Sequence, residues 1–151
     1  MALFTSCEKE GVPHTGDKTG DLYGVWILNT KAETVVTDSE VNTTETDYTK
    51  VHFYLALSEF PFPHAIAKKG SFTDIDLDDV DVDAVTFTYN ADESKISFKK
   101  KLWLSDELFT YNMILDGTFD VKELTEKTLV ISQENALLKK TTSYSFVKQE
   151  R

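Results

Sequence analysis

Val85-Thr86-Phe87-Thr88-Tyr89-Asn90-Ala91-Asp92-Glu93-Ser94-Lys95-Ile96-Ser97-Phe98-Lys99 holds two alternating runs joined by a polar turn. Val85, Phe87 and Tyr89 fall on one side, and Thr86, Thr88 and Asn90 on the other. After the turn, Ile96 and Phe98 alternate with Lys95, Ser97 and Lys99. Successive side chains of a strand point to opposite faces, so one apolar set at period two marks a strand that covers a core. The segment from Asn90 to Glu93 has the residues of a turn. The stretch predicts an antiparallel hairpin.

The same period recurs in both directions from it. Val51, Phe53, Leu55 and Leu57 alternate with His52, Tyr54, Ala56 and Ser58, which puts His52 on an outer face. Phe109, Tyr111, Met113 and Leu115 alternate with Thr110, Asn112 and Ile114. Phe119 and Val121, then Leu129 and Ile131, then Tyr144 and Phe146 continue it. Asp116-Gly117 reads as a two-residue type I′ hairpin turn, and Leu124-Thr125-Glu126-Lys127 as a longer turn. Strands are expected near 22–30, 32–38, 49–58, 84–90, 94–99, 108–116, 117–123 and 127–134, with a ninth at 142–148. The fold class is all-β: an up-and-down antiparallel barrel of about eight strands, or a sandwich. Phe60-Pro61-Phe62-Pro63 cannot lie in a central strand. It leads into either a short helix near 63–69 or a lid over a barrel mouth.

A chain of 151 residues is the ordinary size of one domain. Its net charge of −10 sets it against phosphate backbones, so nucleic acid is an unfavourable partner. Arg151 is the only arginine, which removes the usual bidentate group for phosphate. The single cysteine excludes an intrachain disulfide. No apolar run approaches the roughly 18 residues of a membrane-spanning helix.

The chain opens Met1-Ala2-Leu3-Phe4-Thr5-Ser6-Cys7-Glu8-Lys9-Glu10. Leu3-Phe4 closes an apolar stretch, and small residues precede the cysteine, as at the cut of a secretory signal. The segment resembles the lipobox of bacterial lipoproteins, with Phe4 where that motif more often has Leu. The resemblance implies acylation of Cys7 and an outer-membrane lipoprotein facing the periplasm or the cell surface; the lack of a basic start suggests either a precursor that begins upstream or a start codon assigned late. Residues 11–19, with Gly11, Pro13 and Gly16, read as a flexible spacer. Residues 1–20 are thus expected to be tether and linker, and 21–151 the folded domain.

Gly24-Val25-Trp26 opens the first strand. It resembles the Gly-x-Trp signature of lipocalins and their relatives. Residues 118–131, and Tyr144-Ser145-Phe146-Val147-Lys148 near the end, resemble the last strands of bacterial lipocalin-like lipoprotein domains. In lipocalins the Trp packs across the closed end of the barrel, under a late Arg. Here Lys148 is the cation in range of that role, which favours a distant, lipocalin-like group. The resemblance implies a binding barrel and no defined activity.

The inward set of such a barrel is Phe53, Leu55, Phe87, Tyr89, Phe98, Tyr111, Met113, Tyr144 and Phe146. These residues either fill the interior or line a pocket for a small apolar or amphipathic ligand, with Tyr hydroxyls as polar anchors. The leading expectation is a ligand-binding envelope lipoprotein without catalysis. The alternative is a filled-barrel structural or interaction module contacting an envelope protein, with Phe60 and Phe62 as a contact patch.

Asp74, Asp76, Asp78, Asp79, Asp81 and Asp83 offer carboxylates for a cation. An EF-hand loop counted from Asp74 needs Gly where Asp79 stands and Glu where Val85 stands, so the run reads as a solvated loop. His14, His52 and His64 have no metal-ligand spacing. No nucleophile–base set and no phosphate-binding Gly loop is present, so neither metal nor cofactor is expected.

Overall fold

The computed structural model describes residues 18–70 and 84–149. Cys7, His14 and the aspartate run lie outside them. Strands β1 (Gly24–Val36), β2 (Val41–Asp47), β3 (Phe53–Ser58), β4 (His64–Lys69) and β5 (Val85–Asn90) are followed by four more. These are β6 (Lys95–Ser105), β7 (Asn112–Leu124), β8 (Thr128–Asn135) and β9 (Lys140–Lys148). Every pairing is antiparallel, and β9 closes on β1, so the molecule is an up-and-down β-barrel. Among the described residues there is no helix.

Nine strands fill eight places around the barrel. On the edge of β1 opposite β9, Thr30–Val36 pairs with β2 and Gly24–Ile27 pairs with β3. β2 and β3 are thus two halves of one partner strand, separated by residues 48–52. The seam between β4 and β5 is short, made by His64 opposite Thr86 and Ala65 opposite Val85.

The hairpin at 85–99 forms as expected, with Phe87 opposite Phe98. The turn after Leu124 also forms, with the Thr125 amide donating to the Thr128 carbonyl at 2.9 Å. Several other expectations need correction. Residues 22–30 and 32–38 are one strand, β1. A bulge between Leu28 and Thr30 shifts its alternation, and that shift mimics a strand break. β2 was not expected, because its seven residues are nearly all exposed and carry no apolar period. The helix near 63–69 is strand β4, whose first three residues are buried and which pairs with β3 along its whole length. Pro63 stands just before it, so the prolines stay out of the ladder. His52 is not on a strand face: it is an exposed turn residue at φ 56°.

The largest correction concerns Asp116-Gly117. β7 runs through it, with Gly117 opposite Phe98 and Leu115 opposite Leu102. Gly117 sits at φ 79° beside an irregularity in β6 between Phe98 and Leu102. The glycine takes up a change of strand direction there, not a reversal. The reversal lies at 106–111, so Phe109 is an exposed loop tip and not an inward strand residue.

The interior is one continuous apolar cluster. Fully burying each of its large side chains contributes roughly 1.5–3 kcal/mol relative to exposure. One end is sealed by the chain leading into β1. Trp26 is fully buried there, and its indole N–H donates to the Leu22 carbonyl at 2.9 Å. The Lys148 ammonium lies 4.7 Å from the Trp26 ring centroid and donates to the carbonyls of Asp21 and Tyr23 at 2.8 and 2.9 Å. Gly24, at φ 142°, has no Cβ to collide with the Lys148 side chain. Three residues singled out in the sequence, Gly24, Trp26 and Lys148, therefore meet as one cap.

Candidate functional site at the open end

The opposite end of the barrel is held apart by polar groups. β7 leaves β8 after Asp120, whose partner is Ser132; toward its own start β7 pairs only with β6. Gln133 spans the gap, its amide donating to the carbonyls of Asp116 and Thr118 at 2.7 and 3.0 Å. The Tyr144 hydroxyl crosses it too, accepting from the Ile114 amide at 2.9 Å and donating to the Ile114 carbonyl. Tyr48 does the same for Asn112, with both contacts at 3.0 Å. Long side chains thus replace ladder bonds that the splayed strands cannot make.

A cleft of about 280 Å³ lies between the splayed strands. Its polar lining includes Lys31, Glu33, Gln133 and Lys140, and its apolar lining includes Ile114, Phe119 and Leu138. Lys31 is the most enclosed charge of the cleft, with a side chain 11% exposed against 34% for Lys140 and 38% for Glu33. Its ammonium donates to the Asn112 side-chain oxygen at 2.6 Å and backbone carbonyl at 3.2 Å, and lies 5.6 Å from the Tyr144 ring centroid. Glu33 stands 4.0 Å from Lys31 but 3.0 Å from Lys140. One carboxylate thus serves two ammoniums. Burial lowers the Lys31 pKa, and the nearby Glu33 partly offsets this. Burial pushes the Tyr144 phenol up to about 12.

The nine residues expected to face the interior do gather there. Phe53, Leu55, Phe87, Phe98, Met113, Tyr144 and Phe146 are buried in the core, with Tyr89 and Tyr111 packed against it. Their rings touch in series: Phe87 to Phe98 at 6.2 Å, Phe98 to Phe119 at 6.0 Å, Phe119 to Tyr144 at 6.3 Å and Tyr144 to Phe146 at 6.4 Å. At the mouth, Tyr48 stacks edge-on against Phe53 and Tyr111. These are ordinary separations for aromatic pairs in contact. Of the nine, only Tyr144 lines the cleft. The sequence reading missed Lys31, Glu33, Gln133 and Lys140. Its signal would have been charged and amide side chains on core-facing positions at the ends of long strands, which shifted strand bounds concealed.

Around the cleft, three hairpins expose apolar tips. Val36 and Val41 flank the β1–β2 turn, Leu108 and Phe109 tip the β6–β7 loop, and Leu137 and Leu138 tip the β8–β9 loop. Leu137 is 95% exposed, Leu108 82% and Phe109 71%. Phe109 and Lys139 hold positive φ, at 58° and 50°, an uncommon state for bulky side chains. Phe60 and Phe62 are exposed as well, but at the sealed end, in the β3–β4 turn. Among the described residues, no group of His, Cys, Asp and Glu is placed to hold a metal ion, and no helix is long and apolar enough to cross a membrane. No protein-family model, curated protein or solved structure matches the chain.

Proposed function

We propose that this protein is a filled-barrel interaction module whose working surface is the open end. The observation that carries the reading is the set of apolar tips on three hairpins at one end, where solvent-facing Leu and Phe have no folding role to repay their exposure. The ring-to-ring packing of the interior supports it, because a barrel filled by its own side chains has little room for cargo. Exposed Asp38, Glu40, Glu107 and Glu134 accompany the tips, which suits a protein partner with an apolar centre and a basic rim. In this reading the domain stands on a bacterial cell envelope, held by a lipid on Cys7, and does no catalysis. A second reading, capture of a small amphipathic ligand, is favoured by the cleft and moves from the barrel interior to its mouth.

The test is site-specific photocrosslinking in the producing cells. A photoreactive phenylalanine analogue at Phe109 should give a discrete protein adduct, while the same probe at Thr88 on the outer wall gives none. Replacing Leu137→Ser together with Leu138→Ser should weaken the adduct without altering the circular dichroism spectrum. An adduct from Thr88 but not from Phe109 would overturn the proposal.

A further inference from the structure

We infer that the cleft at the open end is a binding site for a small carboxylate on a short apolar body, its head group on Lys31 and Lys140. This rests on the second reading above, small-ligand capture, and not on a protein partner. Three observations carry it. First, the charge balance is incomplete: Glu33 lies 3.0 Å from Lys140 and 4.0 Å from Lys31, so two ammoniums share one carboxylate. An ammonium has three donors, and the two hydrogen bonds of Lys31 go to neutral oxygens of Asn112. A cation with an 11% exposed side chain, whose counter-ion stands 4.0 Å away and is shared with Lys140, is incompletely compensated, and an entering anion relieves that cost. Second, the lining is amphipathic in the right order. Ile114, Phe119 and Leu138 supply apolar wall beside the charged pair. Third, about 280 Å³ lies just below the usual range for drug-sized ligands, so the space suits a short chain. The net positive cleft sits in a chain of net charge −10, so it is a local exception to the molecule's own field.

Lys31 and Lys140 are binding residues in this account, and Tyr144 and Gln133 are positioning residues that hold the cleft open. The experiment is isothermal titration calorimetry of the full chain with octanoate, and with octan-1-ol as the uncharged isostere. Octanoate should bind saturably, and octan-1-ol about tenfold or more weaker, as loss of a charge-assisted hydrogen bond requires. Lys31→Met keeps the apolar stem and should weaken octanoate about tenfold while leaving octan-1-ol unchanged. Lys140→Met, at the more exposed position, should weaken it less, and a thermal melt of each variant checks its fold. A Thr86→Ser, Thr88→Ser variant alters the outer wall of β5, outside the cleft, and should bind octanoate as the wild type does. Equal binding of acid and alcohol, unaffected by Lys31→Met, would overturn the carboxylate assignment and leave small-ligand capture standing. No binding of either up to about 10 mM would overturn both.

Discussion

Tyr144 shows how one residue can serve both core and cleft. Its ring joins the aromatic series, and its hydroxyl spans the gap to Ile114. Burial raises its pKa from the ordinary 10.0 to about 12. Below the lower value the phenol is neutral in both folded and unfolded chains, so its stabilising effect is intact. Between the two values the unfolded chain releases the proton and the folded chain retains it, so stability falls as pH rises. The full loss corresponds to about 2–3 kcal/mol. Urea denaturation followed from neutral pH to about pH 12 should show this decline, and Tyr144→Phe should make it shallower at a neutral-pH cost of about 1 kcal/mol. An unchanged slope would mean that Tyr144 is not the buried phenol described here. At this scale the sequence was informative where chemistry is local. Gly24, Trp26 and Lys148 were picked out and meet, and the aromatic set was picked out and is buried, apart from Tyr89 and Tyr111, which pack against the core. Lys31 was hidden because it follows the bulge at Leu28–Thr30, where alternation alone reads as the end of a strand.

Elements with a regular pleat and an apolar face were the most legible, and those whose pleat shifted were the least. β5 and β9 keep a simple alternation, β8 is a short buried run from Leu129 to Ser132, and all three lie close to their expected bounds. β1, β6 and β7 carry irregularities, and each was misjudged in length. β2 had no apolar face to detect: it is held by its ladder to β1 and by pairs such as Thr34 with Thr43, whose hydroxyls lie 2.9 Å apart. Asp116-Gly117 has the composition of a hairpin turn, but the Gly117 backbone continues a strand. The two geometries make different demands. A type I′ turn needs positive φ at both residues, whereas here Gly117 alone has it. Gly117→Ala should therefore cost about 1 kcal/mol by chemical denaturation, because alanine is strained at that φ. Asp116→Ala, on an exposed strand position, should stay within about 0.5 kcal/mol. Comparable losses at both positions would restore the hairpin turn.

The whole molecule is a barrel sealed at one end by Trp26 and Lys148, packed through its middle, and splayed at the other end into a polar cleft with apolar tips. The barrel was legible because eight short strands and their turns admit few closed arrangements. The position of the cleft and its apolar tips was not, because that depends on where ladders stop, and ladder ends are set by pairing across the sheet and not by any one strand's pattern. The proposed division of labour rests on packing: an interior filled by its own side chains loses contacts if it is emptied for a ligand. Phe87 lies at the centre of this claim, 1% exposed, with Phe98 at 6.2 Å and Tyr23 at 6.3 Å between ring centroids. The direct measurement is the unfolding free energy of Phe87→Trp, followed by circular dichroism in urea. In a filled barrel the larger ring has nowhere to go, and stability should fall by about 1–3 kcal/mol. Unchanged or increased stability would mean that the indole had entered open space, and the packed interior, with the working surface it displaces to the open end, would be contradicted.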